Sequence, residues 1–178
     1  MNLELRKLSE TDGKDIIKFL RNFPLEENGF YNPADPKDLV NEESFKLWVT
    51  EKLNEDKGIN LKDGYVPQSI YWVVLNNRVV GIGKIRHYLN EHLLNDGGHI
   101  GLGLSKECRG NGVGTQALNL LLDLAYKNYG IEEVLLTNNE DNLASRRIVE
   151  KCGGTLESIN NGKCKYWIDT KKRSKGIY

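Results

Sequence analysis

The sequence is poor in sulfur and proline and carries no surplus of charge. Its 178 residues hold three cysteines, one methionine and four prolines, and 25 Lys plus Arg balance 25 Asp plus Glu. Cys108, Cys152 and Cys164 are odd in number and widely spaced, which argues against a disulfide framework and fits a reducing cytoplasm. The missing basic excess disfavours a dedicated nucleic-acid binder. No apolar run approaches the ~18 residues of a membrane span. The start, Met1-Asn2-Leu3-Glu4-Leu5-Arg6-Lys7, lacks the apolar stretch of a signal peptide. What is present is 39% hydrophobic and 28% charged residues, enough for a packed core. The length suits one domain over residues 1–178, ending in a basic tail at 169–178.

Neutrality hides an uneven distribution. Between Glu26 and Asp63 there are ten acids against five lysines, and from Gly162 to Tyr178 six bases oppose Asp169 alone. Solvated helix faces and a frayed tail account for this blandly. The sharper reading is an acidic surface for a cationic partner and a basic one for an anionic partner.

Periodicity predicts a mixed α/β chain. Leu3, Leu5 and Leu8 suggest a strand, and Ser9-Glu10-Thr11-Asp12 offers N-cap residues before Ile16, Ile17, Phe19 and Leu20 at helical spacing. Pro24, Pro33 and Pro36 mark a loop holding Phe30 and Tyr31. Phe45, Trp48, Val49 and Leu53 then form a helical stripe. Residues 69–75 and 79–86 read as two strands around Asn76-Asn77-Arg78, followed by a long polar connection from His87 to Gly98. A glycine-bearing strand at 98–104, a helix at 112–128, a short strand at 134–136, a helix at 142–152 and a hairpin at 155–169 complete the pattern.

Leu104-Ser105-Lys106-Glu107-Cys108-Arg109-Gly110-Asn111-Gly112-Val113-Gly114-Thr115 joins a strand to a helix through positions with little side chain. Such a turn points backbone N–H groups into one space at a helix N-terminus and makes a pyrophosphate cradle. It is not a Walker loop, because Gln116 follows Thr115 where a Gly-Lys-Ser/Thr is needed. It is not a dinucleotide fingerprint either, because Gly110, Gly112 and Gly114 are spaced two and two. Arg109-x-x-Gly112-x-Gly114 instead resembles the acetyl-CoA pyrophosphate loop of the GNAT N-acetyltransferase superfamily. Asn142-Leu143-Ala144-Ser145, followed by Glu150-Lys151-Cys152-Gly153, matches that family's second signature, and Lys165 to Ile168 resembles its last strand.

The resemblance implies an α/β (α+β) fold: a mixed, mostly antiparallel central sheet with a splayed parallel strand pair and helices on both faces. It implies an acetyl-CoA-dependent N-acetyltransferase, working by direct amine attack in a ternary complex. Acetyl-CoA is the implied cosubstrate, held by Leu102, Gly103, Leu104, Arg109, Gly110, Asn111, Gly112, Val113, Gly114, Thr115, Asn138, Asn142 and Ser145. Gly101 and Gly103 would admit the pantetheine arm, and the N–H near Leu104 would polarise the thioester carbonyl. Many members place a tyrosine two residues before the Lys of Glu-Lys-x-Gly. Val149 stands there, as in relatives resembling ribosomal-protein N-acetyltransferases, which leaves Ser145, water or Tyr166 for the thiolate.

For the base, all three histidines fall between 87 and 99, and His99 with Glu91 are the candidates. The histidines lack the Cys or carboxylate partners of a metal site, so no metal is expected. Phe30, Tyr31, Tyr65 and His87 are candidate acceptor contacts, and the acidic stretch suggests a small cationic amine or a protein N-terminus. No nucleic acid or membrane partner is expected, a homodimer is open, and a non-catalytic acyl-CoA-binding module is the alternative function.

Overall fold

The described residues of the computed structural model, 2–174, form nine strands and six helices. They are β1 (Leu3–Lys7), α1 (Lys14–Asn22), β2 (Glu26–Glu27), β3 (Phe30–Tyr31), α2 (Glu42–Asp56), β4 (Gln68–Leu75), β5 (Arg78–Arg86) and α3 (Glu91–Asn95). After these come β6 (Ile100–Leu104), α4 (Val113–Tyr129), β7 (Glu133–Asn139), α5 (Leu143–Lys151), β8 (Thr155–Asn160), β9 (Lys163–Asp169) and α6 (Thr170–Ser174). The class is the expected mixture of antiparallel sheet and flanking helices.

One sheet has the order β1-β4-β5-β6, antiparallel throughout, with Leu3 opposite Leu75. Alternation along β4 sorts its side chains between two cores. Ile70, Trp72 and Val74 pack with Ile16 and Leu20 of α1 and Phe45 and Trp48 of α2. Tyr71 turns the other way and joins Leu118, Leu121 and Leu122 of α4. Trp72 has no exposed surface, and its indole N–H donates to Asp12 Oδ2 at 2.7 Å. That bond changes the expected start of α1. Asp12 serves the tryptophan and the Ser9 N–H, and the helix begins at Gly13 without a side-chain cap.

The second sheet has the order β7-β9-β8, also antiparallel. Its Val134, Leu136, Tyr166 and Ile168 complete the α4 core, so α4 is the shared support of both sheets. The predicted loop around Phe30 contains a two-stranded hairpin instead, Glu26 opposite Tyr31 and Glu27 opposite Phe30. The expected tail is also partly ordered structure. Residues 170–174 form α6, with Thr170 buried and Arg173 donating to Cys152 C=O and Asn119 Oδ1, each at 2.8 Å. Residues 175–178 of that tail lie outside the described residues.

The sheets meet where β6 approaches β7. His99 N–H donates to Leu135 C=O at 2.8 Å, and Leu135 N–H donates back to His99 Nδ1 at 2.9 Å. Gly97 N–H reaches Thr137 Oγ1 at 2.8 Å. Beyond this joint the two strands belong to separate sheets and share no ladder. Gly98 makes the approach feasible: its φ is +58°, and a Cβ there would lie 2.4 Å from Leu135 O.

Gly98→Ala therefore combines left-handed strain with a clash at the joint. Urea unfolding should show a loss of about 2 kcal/mol or more; an unchanged midpoint would contradict the close approach.

Candidate functional site

The parted strands enclose a cavity of about 460 Å³. The register of β5 with β6 determines what the cavity sees. Ser105 N–H donates to Val80 C=O and Arg86 N–H donates to His99 C=O, so Gly81/Leu104, Gly83/Leu102 and Ile85/Ile100 are the non-hydrogen-bonded pairs. The N–H groups of Leu102 and Leu104 thus turn away from β5, into the opening towards β7. One of the freed carbonyls is taken: Leu104 C=O accepts from Arg109 Nε at 3.1 Å and from its NH2 at 2.7 Å.

The glycine-rich turn borders the same opening. Gly110 (φ +85°) and Gly112 (φ +79°) have nothing within 4 Å of where a Cβ would be, and Gly112 is the N-cap of α4 with no side-chain cap. The first helical bond is Gln116 N–H to Gly112 C=O, which leaves the N–H groups of Val113, Gly114 and Thr115 without intrahelical acceptors. Helix termini with such free N–H groups attract anions. Gly114 lets α5 come close, since a Cβ there would stand 2.7 Å from Ile148 Cδ1.

Across the opening, Asn138 Nδ2 donates to Ser145 Oγ at 2.5 Å, while Asn138 Oδ1 is buried without any partner. A buried carbonyl oxygen with no donor is costly. Asn142 caps α5, its Oδ1 accepting Ser145 N–H at 3.2 Å. Arg147 and Lys151 add positive charge to the rim.

The β2–β3 hairpin roofs the cavity. Its turn, Asn28 (φ +52°) and Gly29 (φ +83°), suits a tight two-residue hairpin and lies at contact distance from Asn139 and Lys163. The Phe30 ring fills the place beside Gly103, where a Cβ would come within 2.7 Å of it. The bare faces of Gly101 and Gly103 admit Phe30 and Lys84, while both glycines also border the cavity. Glu27 ties the hairpin to the turn through a 2.5 Å ion pair with Arg109 and a longer one with Lys106. The Arg109 bond holds the Glu27 carboxyl below the usual carboxylate range.

Most sequence-nominated residues converge here. Leu102, Gly103, Leu104, Arg109, Gly110, Gly112, Gly114, Thr115, Asn138, Asn142 and Ser145 all line the cavity, with Phe30 and Tyr31 at the roof. Asn111 is exposed beside it, and the Val113 side chain packs with Leu104, Cys108 and Ala117. Five candidates are elsewhere. Glu91 is exposed on α3 and Tyr65 is 60% exposed on a loop. His87 stacks on Tyr129 at 4.4 Å and meets Ser69 Oγ at 2.9 Å. His99 is buried at the joint, off the cavity wall. Burial, then Arg86, pushes its pKa down to about 4. With Nδ1 accepting from Leu135, the neutral ring carries its proton on Nε2 and has no lone pair left for a base. Tyr166 is buried with its hydroxyl donating to Glu150 at 2.8 Å, away from the cavity. Of the ten acids between residues 26 and 63, Glu27 alone reaches the wall.

Lys84 and Arg86 line the cavity as well, although neither was a candidate from the sequence. They are polar interruptions in an otherwise apolar strand, the one available signal. Lys84 is 7% exposed; its Nζ donates to Tyr31 C=O at 2.7 Å and lies 4.4 Å from the Phe30 ring centre. Arg86 donates to the carbonyls of Gly97 and Gly98 at 2.9 and 3.0 Å.

A family model described as acetyltransferase (GNAT) domain matches residues 2–155. No curated protein matches the chain. Among solved structures, mutant forms of the spermidine/spermine N-acetyltransferase SpeG from Vibrio cholerae align over 99% of this chain and 100% of theirs, with 16% identity and TM-score 0.65. The ribosomal-protein-S5-alanine acetyltransferase from Vibrio fischeri aligns over 94% and 93%, with 18% identity and TM-score 0.68. The N-acetyltransferase PseH from Campylobacter jejuni, in complex with acetyl coenzyme A, aligns over 94% and 99%, with 10% identity and TM-score 0.62. At these identities the likeness is one of fold.

The lowered pKa of His99 has a stability consequence. Its folded value of about 4 lies below the unfolded 6.5, so the unfolded state binds the proton first as pH falls. The contribution is complete above pH ~6.5 and is lost towards pH ~4, roughly 3 kcal/mol in all. Unfolding free energies of wild type and His99→Gln between those pH values should converge as acid is added. Parallel curves would refute it.

Proposed function

The chain belongs to the GNAT acetyltransferase family, as an acetyl-CoA-dependent N-acetyltransferase, and from that footing we propose that it transfers acetyl to a primary amine by direct attack in a ternary complex. The observation that carries this reading is the open β6 edge, with the Leu102 and Leu104 N–H groups facing a cavity that ends at the glycine-rich turn.

The residues fit the cosubstrate. The unpartnered Asn138 Oδ1 suits a pantetheine amide N–H, and the exposed N–H groups of Leu102 and Leu104 suit its carbonyls and the thioester oxygen. The helix terminus from Gly112 to Thr115 suits the pyrophosphate, with Arg147 and Lys151 as charge complements. Arg109 contributes less directly, because it already holds Glu27 and Leu104 C=O. Bound acetyl-CoA supplies an activated acyl group. Ser145, fixed by Asn138 and lining the cavity near Val149, is the hydroxyl for the departing thiolate.

The acceptor enters beneath the hairpin, between Phe30 and Tyr31, and is a small cationic amine or a protein N-terminus. Support comes from the structural neighbours named for spermidine/spermine and for the alanine of ribosomal protein S5. Acidic steering is limited to Glu27 and Asp96, both already paired.

Calorimetry with acetyl-CoA, followed by thiol release with spermidine and with an alanine-terminated peptide, tests the reading. Saturable binding and amine-dependent thiol release are expected. Asn138→Ala should weaken acetyl-CoA binding about tenfold, the worth of one hydrogen bond to a buried partner. Tight binding without thiol release for either amine would favour the non-catalytic alternative.

A further inference from the structure

Amine attack on a thioester requires a group that takes the nitrogen's proton. The two carboxylates on the cavity wall are occupied, Glu27 by Arg109 at 2.5 Å and Asp96 by Lys163 at 3.0 Å. His99 has no free lone pair. Lys84 differs from all of them. Among the described residues it has no carboxylate within ion-pair distance, and its Nζ has one hydrogen bond, to Tyr31 C=O. It projects from β5 past Gly101, whose absent Cβ leaves 3.4 Å to Lys84 Cε, onto the wall shared by Phe30 and β6. A lysine built into the acceptor side of the cavity with no counter-ion is an amine held for use.

We propose that Lys84 Nζ is the base that takes the proton from the acceptor nitrogen. This rests on the transferase reading given above. The acceptor first loses its ammonium proton to solvent; the neutral nitrogen then forms the C–N bond, and the carbonyl electron pair moves to oxygen, facing the β6 N–H groups. The adduct's ammonium proton passes to the lone pair of Lys84. Collapse restores C=O and breaks the C–S bond, whose electron pair leaves with the CoA thiolate. The proton on Lys84 then reaches that thiolate, directly or by exchange with solvent, giving amide, free thiol and a neutral Lys84.

The electrostatic setting agrees. Burial first, then repulsion by Arg86 on its own strand and Lys52 on α2, pushes the Lys84 pKa down to about 7. The Tyr31 carbonyl of the hairpin accepts the Lys84 hydrogen bond, and Glu27, Asp96 and Lys163 line the same cavity. The nitrogen is therefore free above pH ~7 and protonated below it. A free alkylammonium has a pKa of ~10, but the ammonium of the tetrahedral adduct, formed from the neutral amine, is far more acidic, so its transfer to Lys84 runs downhill.

The test is the pH profile of kcat and kcat/KM with spermidine and with an alanine-terminated peptide, for wild type, Lys84→Met and Lys84→Arg. Acetyl-CoA affinity and circular dichroism are measured in parallel. Wild type should lose activity below pH ~7. Lys84→Met should lose about 100-fold in kcat and lose the acidic limb, with acetyl-CoA affinity unchanged. Lys84→Arg should lose as much, because a guanidinium stays protonated. A Met variant within about threefold of wild type with its acidic limb intact would overturn the inference alone. An acetyl group found on Lys84 by mass spectrometry would make it a nucleophile and overturn it too. A wild-type protein that binds acetyl-CoA yet acetylates neither amine would overturn the transferase reading, and this inference with it.

Discussion

Everything at the site depends on where β6 and β7 stop touching. The pair of bonds between His99 and Leu135 holds the strands together at one end, and the register then leaves alternate β6 amides facing an opening. Backbone amides are seldom left unpaired inside a protein because the lost water is not replaced. Here α4 packs against both sheets, and β6 and β7 share no ladder beyond the joint. Unpaired donors on one wall and the orphaned Asn138 oxygen on the other define an amide-shaped vacancy in hydrogen bonding.

Much of this could be read in the residues. The glycine-rich turn, the helix after it and the Asn142–Gly153 segment have strong local signals, because each needs particular backbone angles or caps, and they lie where the pattern put them. The hairpin at Glu26–Tyr31 was illegible because two-residue strands carry no periodicity and three prolines nearby read as loop. His99 misled for another reason. A histidine before a cofactor strand looks like a base, and only tertiary structure shows its Nδ1 accepting a backbone N–H. Lys84 was hidden by the opposite effect, since a charged residue within a central strand reads as an interruption until its surroundings are known.

Charge is distributed differently from the pattern in the chain. Five of the ten acids of residues 26–63 are in ion pairs, such as Asp56 with Lys7 and Glu55 with Lys52. The cavity has the opposite character, with Lys84, Arg86, Arg109, Arg147, Lys151 and Lys163 against Glu27 and Asp96. That balance suits a polyanionic cosubstrate. It makes the neutral state of Lys84 important to any cationic acceptor sharing the space.

The strand order β7-β9-β8 also bears on how the cavity comes into being. β9 is the middle strand but the last of the three in the chain, so β7 and β8 have no ladder partner until residues 163–169 arrive. A nascent chain that stops short of them already contains α4, β6 and the glycine-rich turn, yet lacks the support for the wall bearing Asn138. Of the two pairings, β8–β9 is a local hairpin, whereas β7–β9 carries the entropic cost of closing a longer loop. The ladder that supports the Asn138 wall is thus completed only by β9, the last strand of the chain.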